Sequence, residues 1–154
     1  MGNERGIRMG TDGEFEIVAH EIGHHIPVMA KPVNYAIGIK RRNKRAFENP
    51  EKYPGVIANY ERNKKVYKEK MDKYNKNKAL NDKMNELHKE FMKEGRHYAF
   101  SDYAYRGGFG EFVAEAFAKV KINQRREKAG HVINERYKKG FAYRAYEIMK
   151  QYPR

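Results

Sequence analysis

The 154-residue chain contains no cysteine, which excludes disulfide staples and thiolate zinc sites and leaves His, Asp and Glu as the available metal ligands. It also lacks any apolar run long enough to cross a bilayer, so no membrane span is expected. The opening Met1-Gly2-Asn3-Glu4-Arg5-Gly6 has no apolar stretch after a basic start, and no secretory signal is legible there. A soluble protein is the expectation. Acidic residues are scarce beside basic ones: 20 Asp and Glu against 33 Lys and Arg give a formal net charge of +13. Such an excess suits an acidic partner or nucleic acid, although much of it is expected to be solvated helix surface. No zinc-finger spacing, Gly-rich phosphate loop or aromatic RNA-binding signature occurs. The length fits a single domain with a modest core.

What the chain does contain is Val18-Ala19-His20-Glu21-Ile22-Gly23-His24-His25-Ile26, a His-Glu-x-x-His pattern in a helical context. Four-residue spacing sets His20 and His24 one turn apart on one face, with the Glu21 carboxylate beside them. Thr11-Asp12-Gly13-Glu14 fits a capping box, and Pro27 disfavours helical geometry at Ile26, so the motif helix is expected over 11–26. Phe15, Val18, Ala19, Ile22 and Ile26 recur at helical spacing and should form its buried face. Gly23 costs about 1 kcal/mol against Ala in a helix, which is tolerated where another backbone or side chain must come close. His25 points about 100° away from His24 and is expected to stand apart from the site.

Val33 to Ile39 alternates as a strand would, with Val33, Tyr35, Ile37 and Ile39 on one side. The basic cluster Lys40-Arg41-Arg42-Asn43-Lys44-Arg45 follows. From Pro54 a stripe through Ile57, Tyr60, Tyr67, Met71 and Tyr74 is followed, after an Asn-rich turn, by a second through Leu80, Met84, Leu87 and Phe91. The two suggest a basic antiparallel helical hairpin over 54–95 with its apolar edges facing each other, ending at Gly95. His88 and His97, with no partner at ligand spacing, read as surface histidines. A last helix is expected over 131–152, with Ile133, Tyr137, Phe141, Ala145, Ile148 and Tyr152 on one face, Gly140 interrupting it at modest cost, and His131 as a cap or surface residue.

The second informative stretch runs from Ser101 to Ala118, where glycines lead into a helix expected over 109–121 with Val113, Ala116, Phe117 and Val120 buried. Glu111 and Glu115 lie one turn apart on another face. A catalytic zinc keeps three protein ligands and an open position. His20, His24 and Glu111 would supply the three, and Glu21 would take a proton from the attacking water and pass it to the leaving amine. Tyr103 or Tyr105 could donate to the developing oxyanion. Glu115 would accept a hydrogen bond from a ligand imidazole and fix its orientation.

Together, the two stretches resemble the zincin peptidases of the anthrax-lethal-factor-like group. These pair a His-Glu-x-Gly-His helix, here His20 to His24 with Gly23, with a downstream Glu-Phe-x-Ala-Glu-Ala-Phe helix, here Glu111 to Phe117. The resemblance implies His20, His24 and Glu111 as ligands of Zn2+ and Glu21 as the base. It matches the family's serine-turn tyrosine to Ser101-Asp102-Tyr103-Ala104, and it implies a protein or peptide substrate. It also implies a toxin or a phage-associated setting. The interval from Tyr103 to Glu111 is one residue longer than the family pattern, and Gly107-Gly108 stands where a more polar residue belongs. A full zincin carries a sheet before the motif helix, yet only Met1 to Gly10 precedes it here. A single, mainly α domain is therefore expected: a zincin-like core with a helical-hairpin insertion and at most a small, reduced β-sheet, its upstream lobe absent or supplied by a partner chain. The alternative is a zinc-binding but non-catalytic structural or nucleic-acid-associated component, for example of a phage particle.

Overall fold

The structure, a computed structural model, describes residues 12–94 and 100–153. It is mainly helical, and no strand occurs among the described residues. Two compact units are formed, Met1–Ala30 with Ala79–Arg154, and Lys31–Lys78.

In the larger unit, α1 (Asp12–His24) packs along α7 (Phe109–Lys128). The contact departs from the expected amphipathic stripe. Ala19 is buried, but Val18 and Ile22 are 58% and 51% exposed, because α7 comes against the small residues of α1 and not its branched ones. Gly23 explains this. A Cβ there would stand 2.7 Å from Ala114 Cα and 2.9 Å from its carbonyl oxygen, so only glycine permits this approach. The close backbone expected from a glycine in this helix is thus supplied by α7. The helix ends at His24, short of Ile26; the Thr11 side of the capping box lies outside the described residues.

The core is built by α5 (Lys78–Glu94), α6 (Asp102–Arg106), α7 and α9 (Phe141–Met149), around Met84, Phe91, Phe100, Phe112 and Phe141. The Met84, Leu87 and Phe91 stripe of α5 therefore packs within this core, where it had been expected to face the other arm of a hairpin. Asn81, fully buried on α5, ties distant segments together: its Oδ1 accepts from Met29 N at 3.0 Å and from the Tyr152 hydroxyl at 2.7 Å. Burial pushes the Tyr152 phenol up to about 12.

Two further expectations are corrected. The helix expected over 109–121 runs on to Lys128, where Gly130, at φ 94°, stops it in the left-handed region. Consistent with such a cap, His131 N donates to Arg126 O at 2.9 Å, so His131 lies just beyond this helix and is exposed. The single C-terminal helix over 131–152 divides into α8 (Glu135–Lys138) and α9, because Gly140 takes an extended backbone at ψ −179°. Phe141, Ala145 and Met149 of α9 are buried.

In the smaller unit, α2 (Tyr35–Arg42) replaces the expected strand and packs on α4 (Pro54–Asn75), with α3 (Lys44–Glu48) and a short 3₁₀ turn between them. The alternation misled because only Ala36 and Ile39 are buried, one helical turn apart, while Tyr35 and Ile37 are exposed. The arms of the predicted hairpin appear as α4 and α5; the Gly95 boundary lies outside the described residues.

Candidate metal centre

Two helices bring the site together. α1 presents His20 and His24 with ring centroids 4.7 Å apart and edge-on at 86°, while Glu111 rises from the first turn of α7 between them. His20 Nε2 lies 3.1 Å from Glu111 Oε2, and His24 Nε2 lies 3.2 Å from Glu111 Oε1. His20 and Glu111 are partly buried and His24 is exposed, and one donor atom of each falls within 4.8 Å of the others.

This donor set fits a zinc ion. Two imidazoles and one carboxylate are what a catalytic zinc takes from the protein, and bonds of about 2.0–2.1 Å in a tetrahedron put ligand atoms about 3.3–3.4 Å apart. The two His–Glu separations, each to a different oxygen of Glu111, are hydrogen-bond distances slightly inside that spacing. Both histidines direct Nε2 inward, so each would offer the lone pair of that nitrogen with the proton on Nδ1.

The chain around the site is shaped to hold Glu111 there. Gly108, at φ 77°, turns the backbone into α7 through a conformation that L side chains rarely adopt. At Gly107 a Cβ would collide with Glu111 Cγ and stand 2.8 Å from Tyr103 O. What looked like a flexible, insufficiently polar lead-in is therefore required by the position of Glu111. A carboxylate in the first turn is also favoured by the positive end of the helix dipole.

An open cleft of about 650 Å³ runs past these residues, lined also by Ile17, Glu21, Tyr103 and Lys119. Glu21 is exposed and lines the cleft, and among the described residues it makes no hydrogen bond or ion pair with the three-residue cluster. The two tyrosines separate cleanly. Tyr103 is 65% exposed at the cleft, whereas Tyr105 stacks on Phe91 at 4.5 Å in the core.

Glu115 does something other than expected. Its carboxylate accepts from the Ser101 backbone N–H and, at 2.8 Å, from the Ser101 hydroxyl, and no imidazole reaches it among the described residues. One turn beyond Glu111, it has moved along the axis towards the start of α6 and braces that helix, which carries Tyr103. His25 is exposed and outside the cluster. His88 is no surface residue: it is half-buried against Phe91, Phe109 and Phe112, its Nε2 has no hydrogen-bond partner, and burial lowers its pKa. His97 lies outside the described residues. Sequence reasoning missed Ser101 as an anchor and Ile17 as a cleft wall; the latter's place, three residues before His20 on the same helix, carries that signal.

Comparison of the chain with protein-family models, curated proteins and solved structures returns no match.

Proposed function

We propose that the protein is a zinc-dependent metallopeptidase that hydrolyses peptide bonds in a protein or peptide substrate. The observation that carries this reading is the convergence of His20 and His24 with Glu111, which lies 91 positions beyond His20 in the chain, beside an open cleft. These three residues would hold Zn2+, which when bound supplies Lewis acidity towards a carbonyl and lowers the pKa of water. Glu21, at the cleft beside His20, accepts the proton of the attacking water and returns it to the leaving amine nitrogen. The Tyr103 hydroxyl donates to the oxyanion as it develops. Glu115 acts at one remove, by fixing Ser101 and with it the helix that bears Tyr103.

Metal analysis and a peptidase assay on a general protein substrate test this together. Stoichiometric zinc is expected in the parent chain and its loss in His20→Ala and Glu111→Ala. Glu21→Gln should keep zinc while cleavage falls by roughly 10²–10⁴-fold, the scale of a lost general base. Zinc that survives Glu111→Ala refutes the ligand set. If zinc binds and Glu21→Gln changes nothing measurable, the site is a structural one without turnover, the reading suited to a component of a larger assembly such as a phage particle.

A further inference from the structure

The positive charge of this protein is concentrated. Lys31–Lys78 contains fifteen Lys and Arg against five Asp and Glu, so this unit alone holds +10 of the chain's +13. Within it α2, α3 and α4 enclose a pocket of about 540 Å³, in the size range of small-ligand sites. Four cations, Lys40, Arg41, Lys44 and Lys64, line it together with two rings, Phe47 and Tyr60; Glu48 is the one acidic residue in the lining.

The rings meet edge to face at 4.9 Å and 81°. The Lys40 ammonium lies 5.7 Å from the Phe47 centroid and 5.9 Å from that of Tyr60, and the Lys64 ammonium lies 5.9 Å from Tyr60. Among the described residues none of the four cations is paired with a carboxylate. Lys68, exposed and one turn along α4 from Lys64, extends the basic face beyond the pocket.

We infer that the Lys31–Lys78 unit is a binding surface for single-stranded nucleic acid, with an unstacked base entering the Phe47–Tyr60 pocket and flanking phosphates meeting Lys40, Arg41, Lys44 and Lys64. Unpaired cations alone would accept any polyanion. Rings set between them favour a ligand that has aromatic faces at the spacing of its phosphates, and stacking tolerates any base sequence. A duplex keeps its bases stacked inside and offers the pocket nothing. The linear sequence has no aromatic RNA-binding signature because Phe47 and Tyr60 come from different helices, brought together only by folding.

The test uses the full chain in EDTA, so that the metal centre does not contribute, and a fluorescein-labelled 15-mer of oligothymidylate followed by fluorescence anisotropy. With about 0.7 counterions released per phosphate contact on a single strand, four contacts give a log–log salt slope of about −2.8, or about fifty-fold weaker binding at 200 mM than at 50 mM salt. The Arg41→Gln/Lys44→Gln double variant, whose side chains make no hydrogen bond or ion pair among the described residues, should reduce that slope by about 1.4 with its circular dichroism unchanged. Inorganic polyphosphate of equal charge should compete at least about fivefold more weakly than unlabelled oligonucleotide, because it has no base to stack. His20→Ala should bind as the parent does.

Equal competition by polyphosphate overturns the inference in favour of a plain polyanion surface. Tighter retention on phosphatidylserine vesicles than on the oligonucleotide overturns it in favour of a lipid surface. A salt slope unchanged in the double variant, or binding lost in His20→Ala, places the interaction elsewhere on the chain and overturns it as well.

Discussion

Replacing Gly23 with alanine adds a single methyl group at the point where the helix of His20 and His24 touches the helix of Glu111. Its Cβ would meet Ala114 Cα at 2.7 Å and the Ala114 carbonyl oxygen at 2.9 Å. Both are backbone atoms, which no rotamer change can remove. Carbon atoms rest about 3.5–4.0 Å apart, so α1 and α7 must separate by about 1 Å. Overpacking of this kind costs about 1–3 kcal/mol, and alanine returns about 1 kcal/mol in helix propensity, leaving a net loss of about 0–2 kcal/mol. The site is far less tolerant than the fold. Metal–ligand distances hold to about 0.2 Å, and His20 and His24 stand on one side of the widened gap with Glu111 on the other. Gly23→Ala should therefore weaken zinc binding about 10- to 100-fold, the scale seen when a ligand's support is lost, with only a small shift in urea midpoint. Competitive titration against a zinc-responsive dye reads the first quantity and urea unfolding the second. Gly110→Ala is the control, since a Cβ beside Glu111 at that position meets nothing within 4 Å. Parent-like zinc affinity in Gly23→Ala, or an equal loss in Gly110→Ala, would refute the reasoning.

Glu115→Ala should cost roughly 1–3 kcal/mol by leaving the Ser101 donors without their acceptor. Zinc content should stay unchanged while any peptidase activity falls; loss of zinc instead would mean that Glu115 supports the zinc site and not only Ser101. His88 gives a pH signature. Burial lowers its pKa, so above its unfolded value of about 6.5 it is neutral in both states and has no effect, whereas as pH falls below 6.5 the unfolded chain takes up the proton first and stability declines. Urea unfolding at pH 7.5 and 5.5 should show a smaller acid loss in His88→Leu than in the parent, and an identical loss would mean that His88 titrates freely when folded.

The convergence of His20, His24 and Glu111 was legible in the sequence because it rests on helical periodicity at both ends: His20 and His24 one turn apart on α1, Glu111 in the first turn of α7. Neither helix needed its packing solved for the donor atoms to be named. The errors arose where a tertiary neighbour decided the outcome. Hydropathy put Val18 and Ile22 inside, but Gly23 and Ala19 let a backbone come closer than branched side chains permit, and close approach won over apolar area. Val33 to Ile39 alternated as a strand does, yet with no strand among the described residues to pair with, the backbone of Tyr35–Arg42 is hydrogen-bonded as α2, and Ala36 and Ile39 are the residues it buries.

Glu115 shows the same limit at the site itself. Its spacing from Glu111 promised a shared face and suggested a shared task, but one helical turn is about 5.4 Å of translation, enough to move a carboxylate from one partner to another. Face is readable from sequence; distance along the axis acquires meaning only when the facing element is known. Here that element is the start of α6, and Ser101 captures Glu115 with two donors before any imidazole can. The consequence is a division of labour between two glutamates of one helix. Glu111 converges with the histidines, and Glu115 fixes the segment carrying Tyr103, so ligand position and tyrosine position are both set by the registration of α7 against its neighbours.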